Sequence, residues 1–107
     1  MILSEAWNLY KADKQIQGYS PQTLKAYNVQ LHLLIRHLGD VPLDEITNGS
    51  LKLYLGSVAE QLKAASLGHR IRFIKSLFRW AQDENILNGN PASKIKEPKL
   101  DVRIPKF

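Results

Sequence analysis

The stretch from Ser66 to Ala81 constrains the fold most, because it reads as one helix with two chemically different faces. At about 100° per residue, its apolar side chains gather on one side of the helix. They are Leu67, Ile71, Phe73, Ile74, Leu77, Phe78, Trp80 and Ala81. Arg72, Lys75 and Arg79 lie on the opposite flank, at spacings that place residues on one helix face. The aromatic side must be covered by protein. The cationic side has no acidic partner within the helix, and such a stripe alone is most often a solvated surface.

Basic residues are concentrated in the second part of the chain. The 107 residues include 15 Lys and Arg against 10 Asp and Glu, which gives a net charge of +5. Residues 1–62 contain five basic and six acidic residues, whereas residues 63–107 contain ten basic and four acidic residues. Such an asymmetry favours a polyanionic partner such as nucleic acid, and less often an anionic membrane surface.

Length and composition exclude several classes of protein. A chain of 107 residues is long enough for one small domain with one hydrophobic core. It has no cysteine, which excludes disulfides and thiolate zinc sites. No apolar run approaches the roughly 18 residues of a membrane span, and the first residues lack the pattern of a signal peptide. We therefore expect a cytoplasmic protein without a membrane partner.

Residues that could support catalysis do not form a constellation. His32 and His37 are five positions apart and point to different sides of one helix, which is poor geometry for a metal site. The adjacent acids Asp44 and Glu45 suit the start of a helix better than acid–base chemistry. The chain has no glycine-rich phosphate loop, nucleophile elbow or zinc-protease motif. The sequence therefore predicts no catalytic residue, metal or cofactor.

Apolar periodicity and capping residues predict four helices and no strands, which is an all-α four-helix bundle. A serine or threonine N-cap is expected before each helix. These N-caps are Ser4, Ser20, Thr47 and Ser66. Pro21 strengthens the second start, because proline is favoured at the first helical position. The helices are expected to span about residues 5–16, 21–38, 48–62 and 67–83, with glycines just past the first two.

The same periodicity predicts which residues face the core. The first helix is expected to present a mostly apolar face made of Ala6, Leu9, Tyr10, Asp13 and Ile16, with Leu3 and Trp7 nearby. The second is expected to bury Leu24, Tyr27, Leu31, Leu34, Ile35 and Leu38. Leu43, Ile46, Ile86 and Leu87 are expected to pack on the core from the loops. Residues 93–107 have no periodicity and several lysines. We therefore divide the chain into a helical domain, residues 1–92, and a basic linker, residues 93–107.

Several short motifs follow one another in a particular order. They are GYSPQTLKAY at 18–27, LGD at 38–40, PLDEIT at 42–47, LFRWA at 77–81 and NPA at 90–92. Each is loose alone, but their order and spacing resemble the N-terminal core-binding domain of tyrosine recombinases. These are enzymes of the phage-integrase type, in which this domain has a SAM-like helical fold. The resemblance covers nearly the whole chain, from about residue 3 to residue 99.

The resemblance implies a DNA-binding domain without catalytic residues of its own. In such enzymes this domain lies on one face of the duplex and a catalytic domain lies on the other, joined by a short linker. The implied partners are double-stranded DNA, the catalytic domain of the same parent chain and other recombinase protomers. The tyrosines of this chain lie within the helical domain and do not match the nucleophile, so this chain alone is not expected to cut DNA.

Positions that match the family's contact regions supply the candidate DNA-binding residues. Hydroxyls and amides at the start of the second helix suit a phosphate, since free N–H groups point at an anion there. The fourth helix is expected to enter or border the major groove, where arginine can fork onto guanine or phosphate. Gly68 and His69 depart from the polar and basic residues often found in the family, which weakens the case for base readout. The candidates are Ser20, Gln22, Thr23, Lys25, Ser66, His69, Arg70, Arg72, Lys75, Arg79, Lys96 and Lys99.

Simpler roles and other functions stay open at this point. Ser20 could serve only as a cap, Arg70 could pack on the core beside an acid, and the linker could be a solvated tail. A helical protein-interaction module would present Trp7, Phe73 and Trp80 partly exposed to a partner helix. A small DNA-binding regulator of helix-turn-helix type is the other alternative, although no short helix pair with a central glycine turn stands out.

Overall fold

The computed structural model describes residues 1–98, which form four α-helices and one short 3₁₀ turn. In chain order these are α1, Leu3–Ile16; α2, Pro21–Leu38; the 3₁₀ turn, Leu43–Glu45; α3, Asn48–Ala59; and α4, Ala64–Asp83. Within these residues, β-structure is limited to one isolated bridge between Ile2 and Pro42. α4 packs against each of the other three helices. The predicted all-α four-helix fold is therefore confirmed.

The starts of α2 and α3 follow from short polar side chains placed directly before them. Ser20 Oγ accepts a hydrogen bond from the backbone N–H of Thr23 at 3.1 Å, and Pro21 is the first helical residue. Thr47 Oγ1 accepts from the N–H of Ser50 at 3.1 Å, and Ser50 Oγ accepts from the N–H of Thr47 at 3.0 Å. Each bond satisfies an N–H that has no acceptor within its own helix. Both predicted N-caps are confirmed.

The starts of α1 and α4 differ from the prediction. Ser4 lies inside α1, where its N–H and its hydroxyl donate to the two carboxylate oxygens of Asp40 at 2.9 Å and 2.6 Å. A carboxylate from a distant loop therefore caps this helix. At α4, Ala64 and Ala65 are strong helix formers and extend the helix towards its N-terminus, so that Ser66 becomes the third helical residue. The prediction of Ser4 and Ser66 as N-caps is wrong.

α1 and α4 end in the same hydrogen-bonded motif, which needs one residue in the left-handed region. Gly18 follows α1 with φ of +89°, and the N–H of Tyr19 donates back to the carbonyl of Lys14 at 3.0 Å. Asn85 takes the equivalent position after α4 with φ of +61°, and the N–H of Ile86 donates back to the last turn at 2.9 Å. Glycine and asparagine tolerate this conformation best. α3 ends three residues before the predicted position.

Tyr10 of α1 is the centre of a buried aromatic cluster that holds α1 against α4. Its ring meets Phe73 and Trp80 edge-on, with centroids 6.2 Å and 5.6 Å away, and Trp7 adds a contact at 5.8 Å. The hydroxyl of Tyr10 lies 2.7 Å from Ser76 Oγ, so its polar group is hydrogen-bonded inside the protein. Burial raises the pKa of Tyr10 well above its ordinary value, an effect that the Ser76 hydrogen bond partly opposes. Protein therefore covers the aromatic side of α4, as predicted.

The buried face of α1 differs from the predicted one. Leu9 is 51% exposed and Ile16 is 84% exposed, so the prediction that they face the core is wrong. α1 buries the predicted Ala6 and Tyr10 together with Leu3 and Trp7, and these four residues also have helical spacing. Trp7 and Tyr10 decide the orientation, because rotating the smaller Leu9 inward would expose two large aromatic surfaces to water.

Loop residues complete the core as predicted. Leu43 is 1% exposed and Ile46 is 5% exposed, and both belong to the same core as the helices. Ile86 and Leu87, which follow α4, pack against that core from outside the bundle. Within residues 1–98, none of the helices combines the length and the apolarity needed to cross a membrane.

A matched pair of leucine substitutions tests this core. Leu34 of α2 is 0% exposed, whereas Leu53 of α3 is 74% exposed. Leu34→Ala leaves a cavity and is expected to lower the free energy of unfolding by about 2–5 kcal/mol. Leu53→Ala is expected to change it by less than about 0.5 kcal/mol. Urea unfolding followed by circular dichroism measures both values, and equal losses would contradict the assigned core.

Candidate nucleic-acid interface

The cations of α4 point in two different directions. Arg70 and Arg72 are about 160° apart around the helix axis, because each residue advances the helix by about 100°. Arg70 turns towards α3, where its guanidinium donates to the hydroxyl of Tyr54 at 3.1 Å and lies 5.9 Å from the centre of that ring. Arg72 is exposed, and Arg79, about 20° away around the axis, is exposed on the same side. Arg70 therefore packs on α3 beside a phenol, and it stands apart from the other two arginines.

Arg72 and Lys75 both contact the chain after Pro91. Arg72 Nη2 lies 3.2 Å from Glu97 Oε1, and this is the one ion pair within the part of the chain that the structure describes. Lys75 Nζ donates to the backbone carbonyl of Ile95 at 2.6 Å. Ile95 itself is 6% exposed and belongs to the core. Two of the candidate DNA contacts are thus engaged by the protein's own C-terminal part.

The start of α2 exposes polar side chains on two sides of the helix. Three of its candidates are exposed, namely Ser20, Gln22 and Lys25. α2 meets α4 where the ring of Tyr27 packs on Phe73, with centroids 5.3 Å apart. Thr23, one turn before Tyr27, is about 40° from it around the axis and therefore lies on the α4 side. Lys25 is about 160° from Tyr27 and points away from α4.

Four residues near this crossing form what we call the α2–α4 face: Thr23, Tyr27, His69 and Arg72. His69 is exposed and lies one turn before Phe73 on α4. Burial raises the pKa of Tyr27, and the neighbouring Tyr19 raises it further, whereas the positive charge of Arg72 acts in the opposite direction. The face offers hydroxyl, imidazole and guanidinium groups, all of which can donate hydrogen bonds to a phosphate.

The remaining candidates lie outside the α2–α4 face. Ser66 is exposed in the first turn of α4. Arg79 lies farther along α4 and borders a polar cleft of about 660 Å³ that also contacts Ser76, Asn90 and Ser93. Lys96 is exposed on the C-terminal segment. Lys99 lies outside the described residues. Over residues 1–98, no group of three His, Asp or Glu side chains is arranged to hold a metal ion.

Sequence reasoning misses two residues of this region. Tyr27 is predicted only as a core residue, although the structure leaves it half-buried at the edge of the α2–α4 face. Glu97 is not considered at all, although it is the one acid between residues 85 and 98 and directly follows Lys96. A lone acid in a basic segment is the signal that could have marked it as the partner of a cation.

Comparison with known proteins now identifies the fold. Residues 9–85 match the family described as the phage integrase N-terminal SAM-like domain. The chain belongs to this family. The match runs from within α1 to just past α4, so it includes both helices of the α2–α4 face. The resemblance inferred from the order of the sequence motifs is confirmed.

Relatives of this integrase domain include recombinases of several bacteria. The chain is 30% identical over 93 residues to the tyrosine recombinase XerC of Myxococcus xanthus, covering 84% of this chain and 31% of the relative. It is 28% identical over 105 residues to XerC of Chromobacterium violaceum, covering 97% of this chain and 35% of that protein. The chain therefore spans about a third of the length of these curated relatives.

Solved structures of the family superpose closely on this chain. A lambda integrase dimer bound to a COC' core site has a TM-score of 0.83 at 25% identity, covering 100% of this chain and 39% of that one. The core-binding domain of bacteriophage lambda integrase has a TM-score of 0.75 at 26% identity, covering 87% of this chain and 100% of that one. The second comparison shows that the fold corresponds to one complete integrase domain.

Substitution of Ser20 tests its structural role as the cap of α2. Ser20→Ala removes the cap of α2 and is expected to lower the free energy of unfolding by about 0.5–2 kcal/mol. Ser20→Asp keeps an acceptor at the cap and is expected to retain most of that stability. Gln22→Ala, two positions on and exposed, is the control and should change stability by less than about 0.5 kcal/mol. Urea unfolding of the three variants tests this, and no difference between Ser20→Ala and Gln22→Ala would contradict it.

Proposed function

We propose that this chain is the DNA-binding arm of a tyrosine recombinase and that it grips duplex DNA through the α2–α4 face and its flanks. The observation that carries the proposal is the superposition on lambda integrase bound to a COC' core site, over the full length of this chain. Membership of the integrase N-terminal family supports the same role. The net charge of +5, concentrated in residues 63–107, favours attraction to a polyanion.

The geometry supports a mode of binding dominated by the phosphate backbone. Thr23 and Arg72 flank the crossing of α2 and α4, so one strand that runs along the crossing could meet donors from both helices. Ser20 and Gln22 add polar groups at the start of α2, where the free N–H groups favour an anion. Lys25 points away from the crossing, so its proposed contact with the same duplex requires the DNA to pass over the N-terminal end of α2. Arg79 and Lys96 extend the cationic surface beyond the crossing.

The proposed parent protein is larger than this chain. We propose that residues 93–107 lead towards a catalytic domain, which would supply the strand-exchange chemistry, and that the parent acts in the bacterial or phage-infected cytoplasm. The share of each recombinase relative that this chain spans, about a third, supports this division. The lambda integrase in the related structure is a dimer. We extend that property to this protein as part of the proposal, with other protomers as partners on DNA.

The buried aromatic side chains argue against the protein-interaction alternative. That function needs Trp7, Phe73 and Trp80 to be available to a partner helix. Phe73 is 0% exposed, Trp80 is 6% exposed and Trp7 is 7% exposed. Their surfaces are used by α1 and α4, so they offer no docking surface for a partner.

The salt dependence of DNA affinity tests the proposed function. An arm that neutralises about five phosphates should bind duplex DNA with a slope of about −4 to −5 in a plot of log affinity against log salt. Fluorescence anisotropy of a labelled duplex at a series of salt concentrations measures the slope. An affinity that does not respond to salt, or no detectable binding at low salt, would reject this function.

Charge-neutralising variants test which surface meets the DNA. Arg72→Ala and Lys25→Ala are each expected to reduce the magnitude of the salt slope by about 1, because each removes one phosphate contact. Lys52→Ala is the matched control, since Lys52 is exposed on α3, which carries none of the candidates. It removes the same charge and should leave the slope nearly unchanged. If Lys52→Ala reduces the magnitude of the slope as much as Arg72→Ala does, the binding surface is misassigned.

A further inference from the structure

The chain after Pro91 is anchored to α4 by its side chains and its backbone. Ala92 is 0% exposed and Ile95 is 6% exposed, so both are part of the hydrophobic core. The N–H of Ile95 donates to the carbonyl of Ala92 at 3.1 Å, which forms a tight turn. The carbonyl of Ile95 accepts from Lys75 Nζ at 2.6 Å. This anchor determines where the next residues lie, because it holds residue 95 against the cationic flank of α4.

Glu97 lies two residues beyond this anchor and reaches across the first half of α4. Its Oε1 is 3.2 Å from Arg72 Nη2. A Cβ placed on Gly68 would lie 3.7 Å from the same oxygen, so the carboxylate lies close above the backbone of α4. Gly68 is buried although it sits on the cationic side of the helix, which shows that neighbouring groups cover this part of α4. The acid therefore occupies part of the surface that the proposed function assigns to DNA.

A carboxylate and a phosphodiester compete for the same donors. Both are anions with two oxygens that accept hydrogen bonds from the edge of a guanidinium. We propose that Glu97 is an internal competitor for the DNA phosphate at Arg72, and that it sets the affinity of this arm by requiring exchange of one anion for another. This inference rests on the proposed function. DNA displaces Glu97 from Arg72, while the buried Ile95 keeps the segment attached to α4.

The exposure of the pair decides how strong this competition is. The side chains of Arg72 and Glu97 are 57% and 43% exposed, so water and salt screen their attraction. Such a pair is weak enough for DNA to displace. Glu97 is also close enough to affect a phosphate bound at Arg72, because its carboxylate lies within the screening length of about 10 Å at 0.1 M salt. Glu97 is therefore expected to lower affinity by a modest factor and not to block binding.

Glu97→Gln tests the inference directly, with Glu84→Gln as the matched control. Both substitutions remove one negative charge and keep the side-chain shape. Glu84 lies 12 residues beyond Arg72 at the end of α4, about 18 Å along the helix axis, which is outside the screening length. Glu97→Gln is expected to bind duplex DNA about two- to fivefold more tightly than the wild-type chain at 0.1 M salt. Glu84→Gln is expected to raise affinity less than Glu97→Gln, because Glu84 is about 7.5 Å along the axis from Arg79 but outside the screening length of Arg72.

The same measurement in an Arg72→Ala background distinguishes competition from simple repulsion. If Glu97 acts by occupying Arg72, the gain from Glu97→Gln disappears when Arg72 is absent. A gain of equal size in both backgrounds, or a Glu97→Gln variant that binds no more tightly than Glu84→Gln, would overturn the inference. If the wild-type chain binds no duplex at low salt, the proposed function fails and this inference falls with it. Thermal unfolding of each variant checks that the bundle is intact. The unfolding temperature is expected to change little, because the side chains of Arg72, Glu84 and Glu97 are all exposed.

Discussion

The packing of Tyr10 against α4 is the interaction on which the rest of the structure depends. Its ring meets Phe73 and Trp80 edge-on, and its hydroxyl is hydrogen-bonded to Ser76. Because one side of α4 is committed to this contact, the rotation of the helix about its own axis is determined. Arg72 and Arg79 must then face outwards, since they lie on the opposite flank at helical spacing. The cationic surface of the protein is thus a direct consequence of how its aromatic side chains are buried.

The four basic side chains of α4 have different surroundings, although they lie within ten residues of one another in the sequence. Arg70 is committed to Tyr54 of α3, and Lys75 holds the carbonyl of Ile95. Arg72 is exposed but forms an ion pair with Glu97. Arg79 borders an open polar cleft. The number of positive charges therefore does not by itself determine how strongly a surface binds DNA. A cation that already donates to the protein must exchange that partner for a phosphate.

Local signals in the sequence predict local structure well where the partners are neighbours. Ser20 and Thr47 cap α2 and α3 through residues three positions away, and both were found from the sequence. Ser4 looks equally suitable, but Asp40 caps α1 from 36 positions away. The orientation of α1 also depends on distant partners, because Leu9 and Trp7 are both apolar and only packing against α4 decides between them. Periodicity thus identifies a helix more reliably than it identifies which of two adjacent apolar stripes is buried.

The order of the motifs from Gly18 to Ala92 indicated the family, whereas apolar periodicity indicated the all-α class and the two opposed faces of α4. These features depend on spacing along the chain, which the sequence states completely. The tertiary structure alone decided that Thr23 lies on the α4 side of α2 while Lys25 points away, that Arg70 turns to α3, and that Glu97 pairs with Arg72. Each of these depends on the angle at which one element meets another, and that angle results from the packing of side chains far apart in the chain.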